Sequence, residues 1–113
     1  DEVVAGLTED QQRLFERFTD EMNPVSLRAA GALFDNKAVM PGDRIASITA
    51  PTLILHATDD RLQLFHNAEF AEAVIPDAKL VRFEQGGHFL IGIEQPAIRT
   101  AVANHILGHA GAR

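Results

Sequence analysis

The chain has 113 residues, of which 46% are hydrophobic and 23% are charged, and these proportions are typical of one small folded domain. Its formal net charge of -6 and its lack of clustered Lys and Arg exclude nucleic acid as an expected partner. The sequence contains no cysteine, which excludes disulfide bonds and thiolate sites. No apolar run approaches the roughly 20 residues of a membrane span, and no signal peptide is recognisable. We therefore expect a cytoplasmic protein without membrane contact.

Two helices are predicted in the N-terminal part. The segment LTEDQQRLFERFTDEM has capping-box spacing between Thr8 and Gln11, and apolar side chains then recur on one helical face. In the next segment, NPVSLRAAGALFDN, we expect Asn23 to be the N-cap and Pro24 to occupy the first helical position. This second helix is expected to end near Asn36.

A turn sequence then separates these helices from the rest of the chain. MPGD, residues 40–43, combines proline and glycine in an order that breaks a helix. We expect residues 1–42 to form a helical unit and residues 43–113 to form a second unit of α/β character.

The second unit has the pattern of two strands with a helix between them, followed by a closing helix. The apolar run PTLILHA, Pro51–Ala57, predicts a strand buried on both faces. Helical spacing follows over residues 65–75, and KLVRFE, Lys79–Glu84, predicts a second strand. The closing helix is expected to begin at Pro96 and to have Gly108 as its C-cap.

This βαβ order places two polar loops at one edge of the sheet. The crossover makes the strands parallel, so TDDRLQ after the first strand and QGGH after the second lie on the same side. A carboxylate from Asp59 or Asp60 can then reach His88, fix its tautomer and leave one ring nitrogen free as a base. The plainer interpretation is that the aspartates cap the next helix or form a polar turn, and that His88 is an ordinary loop residue.

These motifs together resemble the C-terminal part of the α/β-hydrolase fold. PTLILHATDDRL resembles the strand that carries the triad acid, and AVIPDAKLVRFEQGGH resembles the segment that carries the triad histidine. The similarity covers residues 45–107, and the expected acid and histidine are 28 residues apart. Two local departures are Ala57, where the family commonly has glycine, and LQLF, where it has an apolar residue and proline.

The resemblance implies a role for several residues. His88 matches the general base and Asp60 the orienting acid, with Asp59 as the alternative acid. Gly86 and Gly87 match the tight loop before the histidine, where glycine permits a positive φ. The two N-terminal helices would be the end of a cap, or lid, that shapes the substrate pocket. The sequence has no glycine-rich phosphate loop or dinucleotide fingerprint, and its histidines lack metal-ligand spacing with a second cluster, so we expect no cofactor and no metal.

A nucleophile is missing from the motifs. The family places it in a G-x-S-x-G turn, in chain order before the acid and the histidine. The two serines of this chain, Ser26 and Ser47, have neither the flanking glycines nor a preceding strand. We therefore expect a C-terminal fragment of a longer hydrolase, with the nucleophile in an N-terminal half.

Two functions are expected from the sequence. The first is that of a serine-type hydrolase acting on an ester, a lactone or a carbon-carbon bond next to a carbonyl of a small molecule, inactive as this chain alone. An upstream aspartate nucleophile would instead indicate a dehalogenase or an epoxide hydrolase. The second function is that of a non-catalytic assembly module that forms a homo-oligomer through its strands, because a two-stranded parallel sheet leaves apolar edges and faces open.

Overall fold

A computed structural model describes residues 5–110 of the chain. Two compact units are present, one ending at Pro41 and the other beginning at Gly42. The division falls within the MPGD turn, where Gly42 has a φ of +53°. Within residues 5–110, no helix is long and apolar enough to cross a membrane.

The first unit begins with helix α1, Glu9–Met22. The predicted capping box is confirmed, because the Gln11 amide donates to Thr8 Oγ1 at 3.3 Å and the Thr8 amide donates to Gln11 Oε1 at 2.8 Å. The apolar face that follows stays partly exposed within the unit, since Phe18 retains 48% of its surface. Helix α1 has no buried residue, so the capping box rather than packing in a core determines where it begins.

The second predicted helix is divided in the structure. A 3₁₀ turn, Val25–Arg28, precedes helix α2, Ala29–Lys37. The prediction of Asn23 as an N-cap was wrong, because this residue is the C-cap of α1 and its amide donates to two carbonyls of that helix. Pro24 follows in an extended conformation with a ψ of 130°, so helical geometry begins only after it.

The second unit contains the predicted βαβ arrangement. After a 3₁₀ turn at Gly42–Ser47, strand β1 covers Thr52–Ala57, helix α3 covers Phe65–Val74 and strand β2 covers Ala78–Phe83. The strands are parallel and pair in register from their first residues to their last. Mixed α/β architecture with parallel strands is thereby confirmed.

The chain after β2 returns to the sheet through short helical turns. A 3₁₀ turn, Gly87–Phe89, and the short helix α4, Leu90–Ile93, lead into α5, Gln95–His109. The prediction of Gly108 as the C-cap was wrong, because the helix continues through it. The C-cap is Ala110 in a right-handed helical conformation, so the helix end needs no residue with a positive φ.

The core of this unit lies beneath the carboxyl end of the strands. Ala57, Leu90 and Ile98 are buried together, and Leu55 and Phe83 pack against them. The expected burial of β1 on both faces is not found, because its residues before Ala57 are only half-buried. The described residues contribute two strands to the sheet, and so small a sheet leaves much of each strand accessible.

Candidate active site

The two loops at the carboxyl edge of the sheet are connected residue by residue. The Thr58 amide donates to the Phe83 carbonyl at 2.8 Å, which extends the strand pairing by one residue. The Thr58 hydroxyl donates to the Glu84 carbonyl at 3.1 Å. The two loops therefore leave the sheet side by side.

Asp60 and His88 meet at this edge. Nδ1 of His88 lies 3.0 Å from Oδ2 of Asp60, so the contact expected from the loop positions is present. The Asp60 side chain is 6% exposed, whereas the His88 side chain is 57% exposed. The other carboxylate oxygen, Oδ1, accepts hydrogen bonds from the Leu62 amide at 2.8 Å and the Gln63 amide at 3.0 Å. The acid is thus buried with both oxygens hydrogen-bonded, and the imidazole is largely exposed.

The surroundings of Asp60 favour its anionic form. Burial by itself raises the pKa of Asp60, but hydrogen bonds from the Gln63 amide, the His88 ring and the Leu62 amide outweigh it and lower the pKa below the ordinary value of 3.8. A carboxylate can only accept hydrogen bonds, so Nδ1 of His88 must carry the proton between them. In the neutral imidazole, Nε2 is then the unprotonated nitrogen and can act as a base.

Asp59 makes a different set of contacts. Its Oδ1 accepts from the Gly87 amide at 2.8 Å and its Oδ2 from the Gly86 amide at 3.3 Å. Of the two candidate acids, Asp60 is therefore the one paired with His88. The sequence did not reveal the contacts of Asp59. Its spacing could have indicated them, because Asp59 is 27 and 28 residues from the two glycines and Asp60 is 28 residues from His88.

The plainer interpretation of the aspartates is realised in part. Asp60 binds two amides of its own loop and so makes a polar turn in addition to its contact with His88. Neither aspartate caps helix α3, whose N-cap is Leu64 with no side-chain hydrogen bond. One carboxylate thus both folds the loop and orients the imidazole.

The glycines before the histidine have the backbone conformations that the sequence predicted. Gly86 has a φ of +131° and Gly87 a φ of +53°. A Cβ at Gly86 would lie 2.8 Å from Leu90 Cδ1, so this loop also approaches the core closely. Both features require glycine, and they bring His88 to the edge of the sheet.

A cavity of about 330 Å³ adjoins the histidine and the acid. Beside the site residues its lining is mostly apolar, and no lining residue carries a hydroxyl or a thiol. His56, the residue before Ala57 in β1, also borders it. The lining residues are Leu55, His56, Ala57, Asp60, Gln63, Gly87, His88, Leu90, Ile91 and Ile98.

Neither serine is placed as a nucleophile. Ser26 lies in the 3₁₀ turn of the first unit, and the Ser47 hydroxyl donates to the Arg44 carbonyl at 2.8 Å. Among the described residues of the second unit, no hydroxyl group hydrogen-bonds to His88. The site as described thus contains an exposed imidazole paired with a buried carboxylate.

Two histidines of helix α5 contact backbone carbonyls. A ring nitrogen of His105 lies 3.2 Å from the Pro51 carbonyl, and one of His109 lies 2.7 Å from the His105 carbonyl. Between residues 5 and 110, no group of three or more potential metal ligands is found. These two histidines therefore tie α5 to the sheet and to its own last turn.

Comparisons of the chain with models of known protein families, with curated proteins and with solved structures find no match. The relation to α/β hydrolases consequently remains a prediction from the motifs. What the structure adds is the geometry of the two loops that those motifs occupy.

Proposed function

We propose that this chain supplies the general base and the orienting acid of an α/β-hydrolase site. The substrate would be a small molecule with an ester, a lactone or a carbon-carbon bond next to a carbonyl. The observation that supports this is the 3.0 Å contact between His88 Nδ1 and the buried, anionic Asp60, with the rest of the imidazole exposed beside a cavity. An oriented imidazole with a free nitrogen is the group such hydrolysis needs.

The proposed chemistry is proton transfer through Nε2 of His88. A hydroxyl nucleophile would give its proton to Nε2 as its oxygen attacks the carbonyl carbon, and Asp60 would stabilise the imidazolium that forms. His88 would then donate this proton to the leaving oxygen or carbon. In the second half of the reaction, water would give a proton to Nε2 as its oxygen attacks the acyl carbon, and His88 would return that proton to the nucleophile oxygen as the bond between that oxygen and the acyl carbon breaks.

The nucleophile would come from a polypeptide segment outside residues 5–110. The chemistry requires a hydroxyl or carboxylate nucleophile close to the carbonyl carbon, and the cavity lining contributes no hydroxyl. A serine nucleophile would indicate an esterase-like enzyme. An aspartate nucleophile would use the same base to activate water in a dehalogenase or an epoxide hydrolase.

The first unit is proposed to be the end of a cap that shapes the substrate pocket. Its apolar side chains include Phe18, Leu33 and Phe34, which are 48%, 59% and 75% exposed. Exposed apolar side chains of this size commonly mark a surface that contacts a ligand or another segment of protein.

The test is to express the full reading frame that encodes this chain and to assay it with short-chain nitrophenyl esters and lactones. We expect hydrolysis by the full product, none by the 113-residue chain alone, and a loss of about 100-fold or more in His88→Ala of the full product. His66→Ala is the matched control, because His66 is an exposed histidine of the same unit and does not line the cavity. Equal activity in the His88 and His66 variants would refute the role of His88.

The second candidate function is that of an assembly module. The observation that favours it is a two-stranded parallel sheet whose first strand is only half-buried, since parallel sheets are normally covered on both faces. We expect the chain to form a homo-oligomer or to bind a second polypeptide along β1. Light scattering at high protein concentration distinguishes an oligomer from a monomer. A well-behaved monomer would count against this function.

A further inference from the structure

We propose that Asp59 is a positioning residue for His88, an inference that deepens the proposed function and rests on it. The Asp59 carboxylate binds two successive amides, those of Gly86 and Gly87, at 3.3 and 2.8 Å. His88 is the next residue along the chain. Asp59 therefore holds the backbone that carries the base, whereas its neighbour Asp60 holds the ring.

The loop geometry makes this contact specific. The two adjacent amides converge on one carboxylate through a tight turn in which both glycines have positive φ values, +131° and +53°. Each oxygen of Asp59 accepts one of the two amides. In Asp59→Asn an NH2 group, which cannot accept a hydrogen bond, replaces one of the two oxygens, so in this arrangement only one of the two bonds is retained.

The residues on either side of Asp59 also contact the opposite loop. This explains how Asp59 acts on the pair of Asp60 and His88, the dyad. Thr58 binds the carbonyls of Phe83 and Glu84, Asp59 binds the two glycine amides, and Asp60 binds His88. Three consecutive residues thus contact successive positions of the opposite loop. The Asp59 contacts are the ones next to the dyad, so their loss lets the two loops separate at that point. An added separation of about 0.6 Å is enough to lengthen the Nδ1 to Oδ2 distance from 3.0 Å beyond hydrogen-bonding range.

The consequence is a defined tautomer of His88. While the 3.0 Å contact to Asp60 holds, the neutral ring carries its proton on Nδ1 and leaves Nε2 free for catalysis. When the contact is lost, the proton can move to Nε2, and the ring then no longer has an unprotonated Nε2 for the reaction. If Asp59 only stabilised the loop, its replacement would leave this proton on Nδ1.

The test is side-chain ¹⁵N NMR of His88 in the 113-residue chain, at a pH where the imidazole is neutral. We expect the Nδ1-H to Nε2-H ratio to fall about fivefold in Asp59→Ala and by less in Asp59→Asn, which corresponds to the loss of an average hydrogen bond. Asp77→Asn is the charge-matched control, because Asp77 is exposed and lies at the opposite edge of the sheet, where its carbonyl accepts from the Thr52 amide. An unchanged tautomer ratio in folded Asp59→Ala would overturn the proposal.

A second measurement needs no variant and so does not depend on whether a variant folds. In hydrogen-exchange NMR of the unaltered chain, we expect the amides of Gly86 and Gly87 to exchange more slowly than unbonded loop amides, because Asp59 accepts both. Exchange of both glycine amides at the rate of an unbonded amide would overturn the proposal. Neither readout requires hydrolysis, so a failure to find activity in the full product would count against the proposed function and leave the positioning of His88 to be decided by NMR.

Discussion

Ala57 lies opposite Phe83 as the last pair in the register of the two strands. Asp60 follows three residues after Ala57, and His88 follows five residues after Phe83. The longer second loop contains the two glycines, whose positive φ values bend it back towards the first. A parallel strand pair and one tight loop are therefore sufficient to bring an acid and a base within hydrogen-bonding distance.

Replacement of Asp60 by asparagine should impair the base without removing it. The amide group of an asparagine can donate to Nδ1 and so favour the tautomer with the proton on Nε2, which cannot accept a proton. We expect hydrolysis by the full reading-frame product to fall on the order of 10³- to 10⁴-fold in kcat. Asp77→Asn should leave kcat unchanged. Activity in Asp60→Asn equal to that of the control would show that the pairing with His88 is not used.

Asp60 should also make the stability of the chain depend on pH. Its pKa in the folded chain lies below the ordinary value of 3.8, so its contribution is fully present above about pH 5. As the pH falls through the folded pKa, the carboxylate takes up a proton and this contribution is lost. Urea unfolding of the chain and of Asp60→Asn should differ by about 2 kcal/mol at pH 7, and the difference should shrink below pH 4. A difference that grew on acidification would contradict the lowered pKa.

The sequence was sufficient to predict the sheet edge and the pair of loops. An apolar run after Pro51, a helix of the right length and a second short strand allow one parallel arrangement, and its loops follow from chain order. The choice between Asp59 and Asp60 depended on the family pattern, because adjacent residues of a turn point in directions that only the turn geometry decides. In the structure the Asp60 amide donates to the Ala57 carbonyl at 3.3 Å, and this turn directs Asp60 inwards.

Helix ends and burial were harder to predict, for physical reasons. Asn23 has the side chain of a good N-cap, but it follows α1 directly and its amide is already bonded to that helix. Gly108 is typical of a C-cap, yet α5 ends without a left-handed residue. Burial of β1 depends on what covers the sheet, and an apolar run alone indicates only that the strand would be stable if covered.

The core beneath the site should respond strongly to truncation on α5. Ile98 is 8% exposed and packs with Ala57 and Leu90, directly below the two loops. We expect Ile98→Ala to lower the free energy of unfolding by about 3 kcal/mol. Ile106→Ala on the same helix is the control, because Ile106 is 60% exposed and should change stability by less than about 1 kcal/mol. Equal effects of the two variants, measured by urea unfolding, would show that α5 does not pack as described.

The loop that carries His88 should not tolerate a side chain at its first glycine. At Gly86 an added Cβ meets Leu90 Cδ1 at 2.8 Å and the Leu90 Cα at 3.3 Å, and the φ of +131° is unfavourable for any L-residue. We expect Gly86→Ala to destabilise the chain by about 1–3 kcal/mol and to increase exchange of the Gly87 amide with solvent. Gly108→Ala is the matched control, since Gly108 lies in α5 with nothing within 4 Å of an added Cβ, and alanine there should stabilise the helix by up to about 1 kcal/mol. Thermal unfolding of both variants checks the pair of predictions, and Gly86→Ala as stable as Gly108→Ala would show that the tight approach to Leu90 is not formed.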